Sequence, residues 1–192
     1  GKVSDLATSR KSFINTQLAP LYGVTMPTTG LDKDGFAPID LPENRSGIIT
    51  SAGFLTSRSR PDQQSVVGRG LSVNDSILCQ QNPAFPENLA DQIKGLSAMQ
   101  SNLSERERSG YRMKNAPCLG CHPGFDPYGM SLENFDQIGR FRTMDPSGRP
   151  LAAPVTLPPI AGGKTATNAV EMGKALAETG AFASCIGTKL LT

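Results

Sequence analysis

The stretch Cys118-Leu119-Gly120-Cys121-His122 decides how the rest of this chain is interpreted. Its two cysteines are three positions apart, and the residue after them is the only histidine in the chain. At this spacing each thiol can reach one vinyl group at the edge of a porphyrin, and the adjacent imidazole then faces the iron. The pattern is the attachment signature of a c-type haem. The sequence therefore predicts one covalently bound haem c, attached at Cys118 and Cys121, with His122 as an iron ligand.

Three other interpretations of this motif compete with the haem. A thioredoxin-like redox pair also uses two cysteines at this spacing, but it needs a βαβ context that the surrounding residues do not suggest. A zinc site with four thiolates would have to recruit Cys79 and Cys185, which stand singly in the sequence. A chance match is disfavoured because the chain has only four cysteines and one histidine. The histidine directly after Cys121 favours the haem.

Cys79 and Cys185 remain once the motif is set aside, and they could form a disulfide bond. An even cysteine count with one pair left over is typical of an oxidising compartment. Two buried free thiols are the alternative, which is common for cysteines in reducing compartments.

The composition is that of a soluble globular protein. Charged residues make up 19% of the chain and the formal net charge is +2, which argues against a disordered tail and against a nucleic-acid partner. No apolar run approaches the roughly 18 residues that a transmembrane helix requires. The N-terminus lacks the pattern of a signal peptide, so we expect the chain to be a mature form or a fragment whose export signal has been removed.

Short helices separated by loops are predicted on both sides of the motif, because 20 Gly and 15 Pro interrupt the hydrophobic patterns. Ser104 and Glu107 form a capping-box pattern, which predicts a helix that begins at Glu105. After the motif, Ser131 is expected to cap a short helix that Gly139 ends. Further helices are predicted over residues 4–19, 64–79, 87–99, 168–178 and 181–191.

The predicted fold class is mainly α: a cytochrome c-like haem domain with an irregular, loop-rich helical N-terminal part. The composition shifts near residue 100, although no long Gly/Ser linker divides the chain. We therefore expect a helical and irregular support region over residues 1–100 and the haem domain over residues 101–192.

The motif is followed by further recognisable elements, namely Asp126-Pro-Tyr-Gly129, Leu132-Glu-Asn-Phe-Asp136 and Gly139-Arg-Phe-Arg142. In this order, the segment resembles the planctomycete-type cytochrome c domain family, which comprises exported bacterial proteins of largely unknown function. Three other stretches are similar to the modules that precede and close this family's domain, namely residues 45–50, 68–70 and 182–191.

The resemblance implies a haem and an exported protein, and it says little about a reaction. It also implies that the chain is a C-terminal portion that stops where family members usually continue. In such proteins a cysteine near position 79 tends to accompany one in the closing helix, which supports a bond between Cys79 and Cys185.

A ligating histidine normally gives its second N–H to a carbonyl or a carboxylate. The carbonyl of Pro127, or a neighbouring one, is the expected acceptor, whereas Asp126 could instead cap the turn that follows. Leu132 and Phe135 are expected to line the apolar haem pocket, together with Ile138 and Phe141, or simply to form core. Two arginines, Arg140 and Arg142, are candidates to pair with the haem propionates, with solvated surface charges as the alternative.

The sixth iron ligand cannot be a second histidine of this chain, so methionine is the expected alternative. Met172 lies between a Gly-rich loop and the last helix, and Met144 follows the pocket segment with enough chain to cross the haem edge. These two are preferred over Met130, Met113, Met99 and Met26. Each methionine could also be a core filler. The iron could otherwise be five-coordinate or take a ligand from elsewhere.

Three functions are compatible with these residues. The first is an electron-transfer module in an exported bacterial redox protein or complex, with a redox protein as its partner. The second is a peroxidase-like or oxygenase-like haem enzyme with an open distal position, and the third is a haem-bearing structural subunit of a larger redox assembly. Electron transfer is preferred because no acid–base set is visible beside the motif. The expected location is the periplasm, the cell envelope or the exterior, and association with a membrane complex stays open.

Overall fold

Short helices joined by loops dominate the computed structural model, which describes residues 1–89, 91, 93–94, 102–151 and 154–191. In chain order the α-helices and β-strands are α1 (Asp5–Thr8), β1 (Lys11–Ile14), α2 (Leu18–Tyr22), β2 (Ala37–Asp40), α3 (Ala52–Ser57), α4 (Val66–Ser72), α5 (Glu105–Arg112), α6 (Asp126–Ser131), β3 (Val155–Thr156), β4 (Thr165–Ala166), α7 (Ala169–Ala177) and α8 (Gly180–Leu191). The mainly α, loop-rich fold class is confirmed. In these described ranges, no helix is long and apolar enough to cross a membrane.

Polar side chains fix where several helices begin. The Ser104 hydroxyl accepts from the N–H of Glu107, and the Glu107 carboxylate accepts from the N–H of Ser104, which completes the predicted capping box of α5. Ser65 and Asn168 each accept from the N–H three residues later and so cap α4 and α7. Because these bonds are local in sequence, the starts of α5 and α7 agree with the prediction.

The N-terminal region differs from the predicted helix over residues 4–19. Helix α1 ends at Thr8, and β1 then pairs with β2 in an antiparallel register in which Lys11 faces Asp40 and Ile14 faces Ala37. Ile14 and Ala37 are both fully buried, whereas Phe13 points outward. This alternation of buried and exposed residues is the pattern of a half-buried strand. Its pairing partner β2 lies far along the chain, so the hydrophobic pattern of residues 4–19 alone does not reveal the pairing.

One hydrophobic core joins the two halves of the chain. Leu55 and Val73 from the first half pack in the same cluster as Tyr128, Phe135 and Met172 from the second half. The predicted boundary at residue 100 lies outside the described residues, as does most of the helix predicted over 87–99. The division into a support region and a haem domain therefore stays a prediction, and the described core is shared between them.

Helices α4 and α6 approach each other closely because glycines lie at their contact. A Cβ atom on Gly129 would lie 1.9 Å from the carbonyl oxygen of Val66, and one on Gly70 would lie 2.1 Å from the carbonyl oxygen of Phe125. Any side chain at either position would have to push the two helices apart. This contact brings the segment that precedes α6, which contains the cysteine motif, against the face of α4.

The predicted disulfide bond between Cys79 and Cys185 is present and connects residues 106 positions apart. It joins α8 to the segment that follows α4, where residues Val73–Ile77 form a short π-helical turn. The bond thereby ties the C-terminal helix to the part of the fold that carries α4. Since both sulfur atoms are bonded to each other, the alternative of a zinc site with four thiolates is excluded.

Arg69 and Arg45 are both fully buried, which the sequence did not indicate. The Arg69 guanidinium donates to the carbonyls of Leu55, Leu132 and Phe135 at 3.1, 3.1 and 2.6 Å, and also to the carbonyl of Asp136. It therefore holds the turn after α6 against α3 and α4. Burial lowers the pKa of Arg69 to about 10, which leaves the side chain charged at neutral pH.

Arg45 is enclosed by aromatic rings as well as carbonyls. Its guanidinium carbon lies 4.4 Å from the centre of the Tyr22 ring and 4.8 Å from that of Phe135, as in a cation–π contact. It donates to the carbonyl of Thr50 over 2.8 Å and to the carbonyl of Gly139. Arg45 thus connects the N-terminal region to the end of the turn that Arg69 holds.

Candidate functional site

The motif lies in two short 3-10 turns, Cys118–Gly120 and His122–Gly124, directly before α6. Cys118 and Cys121 are free thiols and are partly exposed. His122 is the first residue of the second turn, and its ring lies 4.9 Å from the ring of Phe125. All three side chains that the sequence selected therefore belong to one short, ordered segment.

A cavity of about 450 Å³ opens beside these three side chains. Its described lining residues belong to the segments 60–71, 83–89, 105–112 and 117–125, together with Ile93. The apolar lining includes Val66, Val67 and Leu71 of α4, together with Leu89 and Phe125. The volume is within the range of small-molecule and cofactor sites.

The imidazole of His122 is held by a buried carboxylate. Nδ1 of His122 lies 2.9 Å from Oδ1 of Asp126, which is the first residue of α6. Because a carboxylate only accepts, Nδ1 carries the proton of a neutral ring and Nε2 keeps its lone pair. The ring is therefore fixed in the tautomer that a metal ligand requires.

Asp126 itself is held from its other side by Arg112, the last residue of α5. Nε of Arg112 donates to Oδ2 of Asp126 over 3.0 Å, and a terminal nitrogen of Arg112 donates to Glu105 over 2.7 Å. Burial opposes the charge of Arg112, but the Coulombic attraction of Asp126 and Glu105 outweighs it and raises the pKa of Arg112. The side chain of Asp126 has no exposure to solvent, so its charge is compensated only by its protein neighbours.

The expected acceptor for His122 was a carbonyl at or near Pro127, and the structure corrects this. The Pro127 carbonyl accepts from the Ser131 hydroxyl over 3.0 Å inside α6, so it is used by the helix. The alternative role expected for Asp126 was a cap for the following turn, but its carboxylate is the acceptor for His122. The spacing of four residues between His122 and Asp126 was the available signal, since such pairs meet across one helical turn.

Leu132 and Phe135 do not line the cavity. Both are fully buried in the shared core, which was the alternative to a pocket position. Arg142 donates from Nε and a terminal nitrogen to the carbonyl of Glu133, both at 3.3 Å, so it supports the turn after α6 and is not at the cavity. The arginines that do line the cavity are Arg60, Arg108 and Arg112.

The structure places the two preferred methionines away from the cavity. Met172 is fully buried in the core on α7, where methionine acts as a filler. Met144 is half exposed and pairs through its backbone with Pro150. Neither contributes to the walls of the cavity. Met99 lies outside the described residues.

The donor set and the cavity together fit a haem c. Two free thiols and an oriented imidazole line the cavity, and most of its surface is apolar, as a porphyrin ring requires. In the described ranges, no group of three or more His, Cys, Asp or Glu side chains could hold a metal ion directly. The residues that would contact the haem from α4 and α5 were not found from the sequence, because they lie 6 to 52 positions before the motif in a region without a local signature.

No curated protein and no solved structure matches the chain. The family PSCyt3, described as a protein of unknown function (DUF1588), matches residues 45–145, which is more than half of the chain. The matched region includes the motif, the Asp126–Arg112 pair, both buried arginines and the α4–α6 contact. The chain therefore belongs to PSCyt3, a planctomycete cytochrome-like family of unknown function.

Proposed function

We propose that this chain is a mono-haem c-type cytochrome domain that transfers electrons within an exported bacterial redox protein or complex. The observation that carries the proposal is the position of Cys118, Cys121 and His122 on the wall of one cavity of suitable volume. Membership of a cytochrome-like family supports the same cofactor. A redox protein is the partner that such a domain requires.

Each part of the site has a task under this proposal. The sulfur atoms of Cys118 and Cys121 would hold the macrocycle in place, and Nε2 of His122 would be the protein ligand of the iron. Val67, Leu71 and Phe125 exclude water from the ring and keep the local dielectric constant low. When bound, haem c supplies a one-electron iron couple whose potential depends on the axial ligands, the hydrogen bonds and the burial.

The proposed location is the periplasm or another part of the cell envelope. Disulfide bonds persist in oxidising compartments and are rare in the cytosol, so the bond between Cys79 and Cys185 supports export. Covalent attachment through Cys118 and Cys121 also requires these two thiols to stay out of such a bond. Cys79 and Cys185 are bonded to each other, and Cys118 and Cys121 are both free thiols, which is the state that attachment needs.

The test is to express the chain with a periplasmic leader and a cytochrome c maturation system. Mass spectrometry of the denatured protein should show the added mass of one haem, and its pyridine haemochrome spectrum should be that of a thioether-linked haem. The double variant Cys118→Ala/Cys121→Ala should lose the haem. The matched control Cys79→Ala/Cys185→Ala, which also removes two sulfur atoms, should retain it. A wild-type protein without covalent haem under these conditions would contradict the proposal.

A second candidate is a haem enzyme with an open distal position. It is favoured by one observation, which is that the described residues around the cavity include no methionine and no second histidine. The absorption spectrum separates the two functions. Rapid conversion to a cyanide complex at low cyanide concentration supports the enzyme, whereas a six-coordinate spectrum that resists cyanide supports electron transfer.

A further inference from the structure

The contacts behind His122 form a series of alternating charges that runs from α6 to α5 beside the cavity. The imidazole contacts Asp126, Asp126 contacts Arg112, and Arg112 contacts Glu105. Glu105 also lies 3.7 Å from Arg108, which is one turn along α5. Exposure increases along this series, from the fully buried carboxylate of Asp126 to the side chains of Arg112 and Glu105, which are 13% and 26% exposed. The outer residues therefore hold the inner ones in place from the surface.

A carboxylate acceptor has a different effect from a backbone carbonyl. Its negative charge makes the hydrogen-bonded imidazole more basic, and therefore a stronger donor to a metal. A stronger donor stabilises the more highly charged oxidised iron relative to the reduced iron. The negative charge also acts directly, because Asp126 is buried and is poorly screened by solvent.

Arg112 opposes this effect. Its guanidinium withdraws electron density from the carboxylate through Oδ2, and its positive charge favours the reduced iron. A purely structural ion pair between α5 and α6 would need only one carboxylate oxygen and no contact with His122. Here the two oxygens of Asp126 are divided between the imidazole and the guanidinium.

We propose that Asp126 and Arg112 are opposed positioning residues that act through His122 to set the reduction potential of the site, Asp126 lowering it and Arg112 raising it. The inference rests on the proposed function, because it requires an iron bound to His122. It adds two residues to that function and gives each a sign.

Redox titration of the purified haem-bound protein tests the inference. Asp126→Asn keeps the shape and an acceptor oxygen but removes the charge, so the midpoint potential should rise. Loss of such a contact behind a metal ligand typically changes affinity or activity 10- to 100-fold. We expect at least a tenfold change in the equilibrium constant for reduction, which is roughly 59 mV for one electron. The control Asp34→Asn removes the same charge from an exposed loop and should leave the potential unchanged.

Arg112→Gln should shift the potential in the opposite direction. It removes the positive charge and leaves Asp126 as a full carboxylate toward His122, so the midpoint potential should fall. General loosening of the site would move both variants in the same direction, and opposite signs therefore distinguish tuning from structural damage. Shifts of the same sign, or shifts no larger than that of Asp34→Asn, would refute the inference.

The outcomes separate this inference from the proposed function. A wild-type protein with haem and an unmoved potential in both variants refutes the positioning roles and leaves the cytochrome intact. A wild-type protein without haem refutes the cytochrome itself. If Asp126→Asn accumulates without haem, Arg112→Gln decides alone, since a lowered potential supports the inference and an unchanged one overturns it.

Discussion

Arg69 and Arg112 are both largely buried, yet their surroundings differ in kind. Arg69 donates to backbone carbonyls, and burial lowers its pKa. Arg112 lies between two carboxylates, which raise its pKa despite burial. The first arrangement satisfies the carbonyls of a turn and leaves no N–H of the guanidinium free for a ligand. The second compensates a carboxylate that is itself in contact with the only histidine. Of these two buried guanidinium groups, one therefore maintains the fold and the other adjusts the site.

Replacing Arg69 should give the largest loss of stability. Arg69→Met removes the guanidinium from the Phe135 carbonyl and takes the second donor from the carbonyls of Leu132 and Asp136, which keep one backbone N–H each, and we expect a loss of about 3–5 kcal/mol in the free energy of unfolding. Urea unfolding monitored by circular dichroism measures it. Arg58→Met, at an exposed position, is the control and should change stability by no more than about 0.5 kcal/mol. A stable Arg69→Met protein would show that the carbonyl contacts are not what holds the turn.

The contact between α4 and α6 connects the two regions, and Gly129 tests it. A Cβ at this position would overlap the Val66 carbonyl, so Gly129→Ala should destabilise the protein by about 1–3 kcal/mol. The control Gly124→Ala lies in open space before α6 and should have a much smaller effect. Urea unfolding of the two variants compares them directly. Equal stabilities would mean that the helices can separate without cost.

The smallest expected effect concerns Glu133, which lies in the turn that Arg69 holds. Burial raises its pKa, although Arg106 and Arg142 partly oppose this. Arg106 is 3.5 Å away, but the nearer carboxylate oxygen has no hydrogen-bond partner. An acid with a raised folded pKa binds more protons in the folded state, so stability is fully present below the unfolded value and is lost as the pH rises through the folded value.

The expected result is a pH-dependent difference between Glu133→Gln and the wild type. Above the ordinary value of 4.5, the wild type should lose stability relative to the variant as the pH increases. Urea unfolding between acid and neutral pH measures this difference. Glu43→Gln, which changes an exposed glutamate, should follow the wild type at every pH. A constant difference between Glu133→Gln and the wild type would show that Glu133 does not titrate differently in the folded state.

Several features could be predicted from the sequence because their interactions are local. The capping box of α5 spans four residues, and the start of α7 depends on one asparagine and the N–H three residues later. The predicted helix after Ser131 was wrong for the opposite reason. Helix α6 ends there, and the residues that follow form a turn that Arg69 holds from more than 60 positions earlier in the chain. No local pattern indicates that a distant guanidinium will satisfy those carbonyls.

The site shows the same division. The sequence selected Cys118, Cys121 and His122, whereas Pro127, Arg142, Met172 and Met144 were assigned roles that the structure does not support. Whether a residue on another segment can reach the iron or a propionate depends on which surfaces of the fold face each other. Next to the motif, those surfaces are set by the contact of α4 with α6. The apolar residues of α4 are at the cavity because of this contact, whereas Arg112 is held there by its ion pair with Asp126.

The sequence by itself indicated the mainly helical class, marked Cys118–His122 as the candidate haem attachment motif and, through the family resemblance, favoured the pairing of Cys79 with Cys185, because each depends on residue types at fixed positions. Only the tertiary structure decided which carboxylate holds His122, which arginine compensates it and which residues enclose the cavity. The physical reason is that hydrogen bonds and ion pairs between distant segments depend on how closely helices can approach. Here that distance is set by two glycines whose role becomes visible only once the helices are packed.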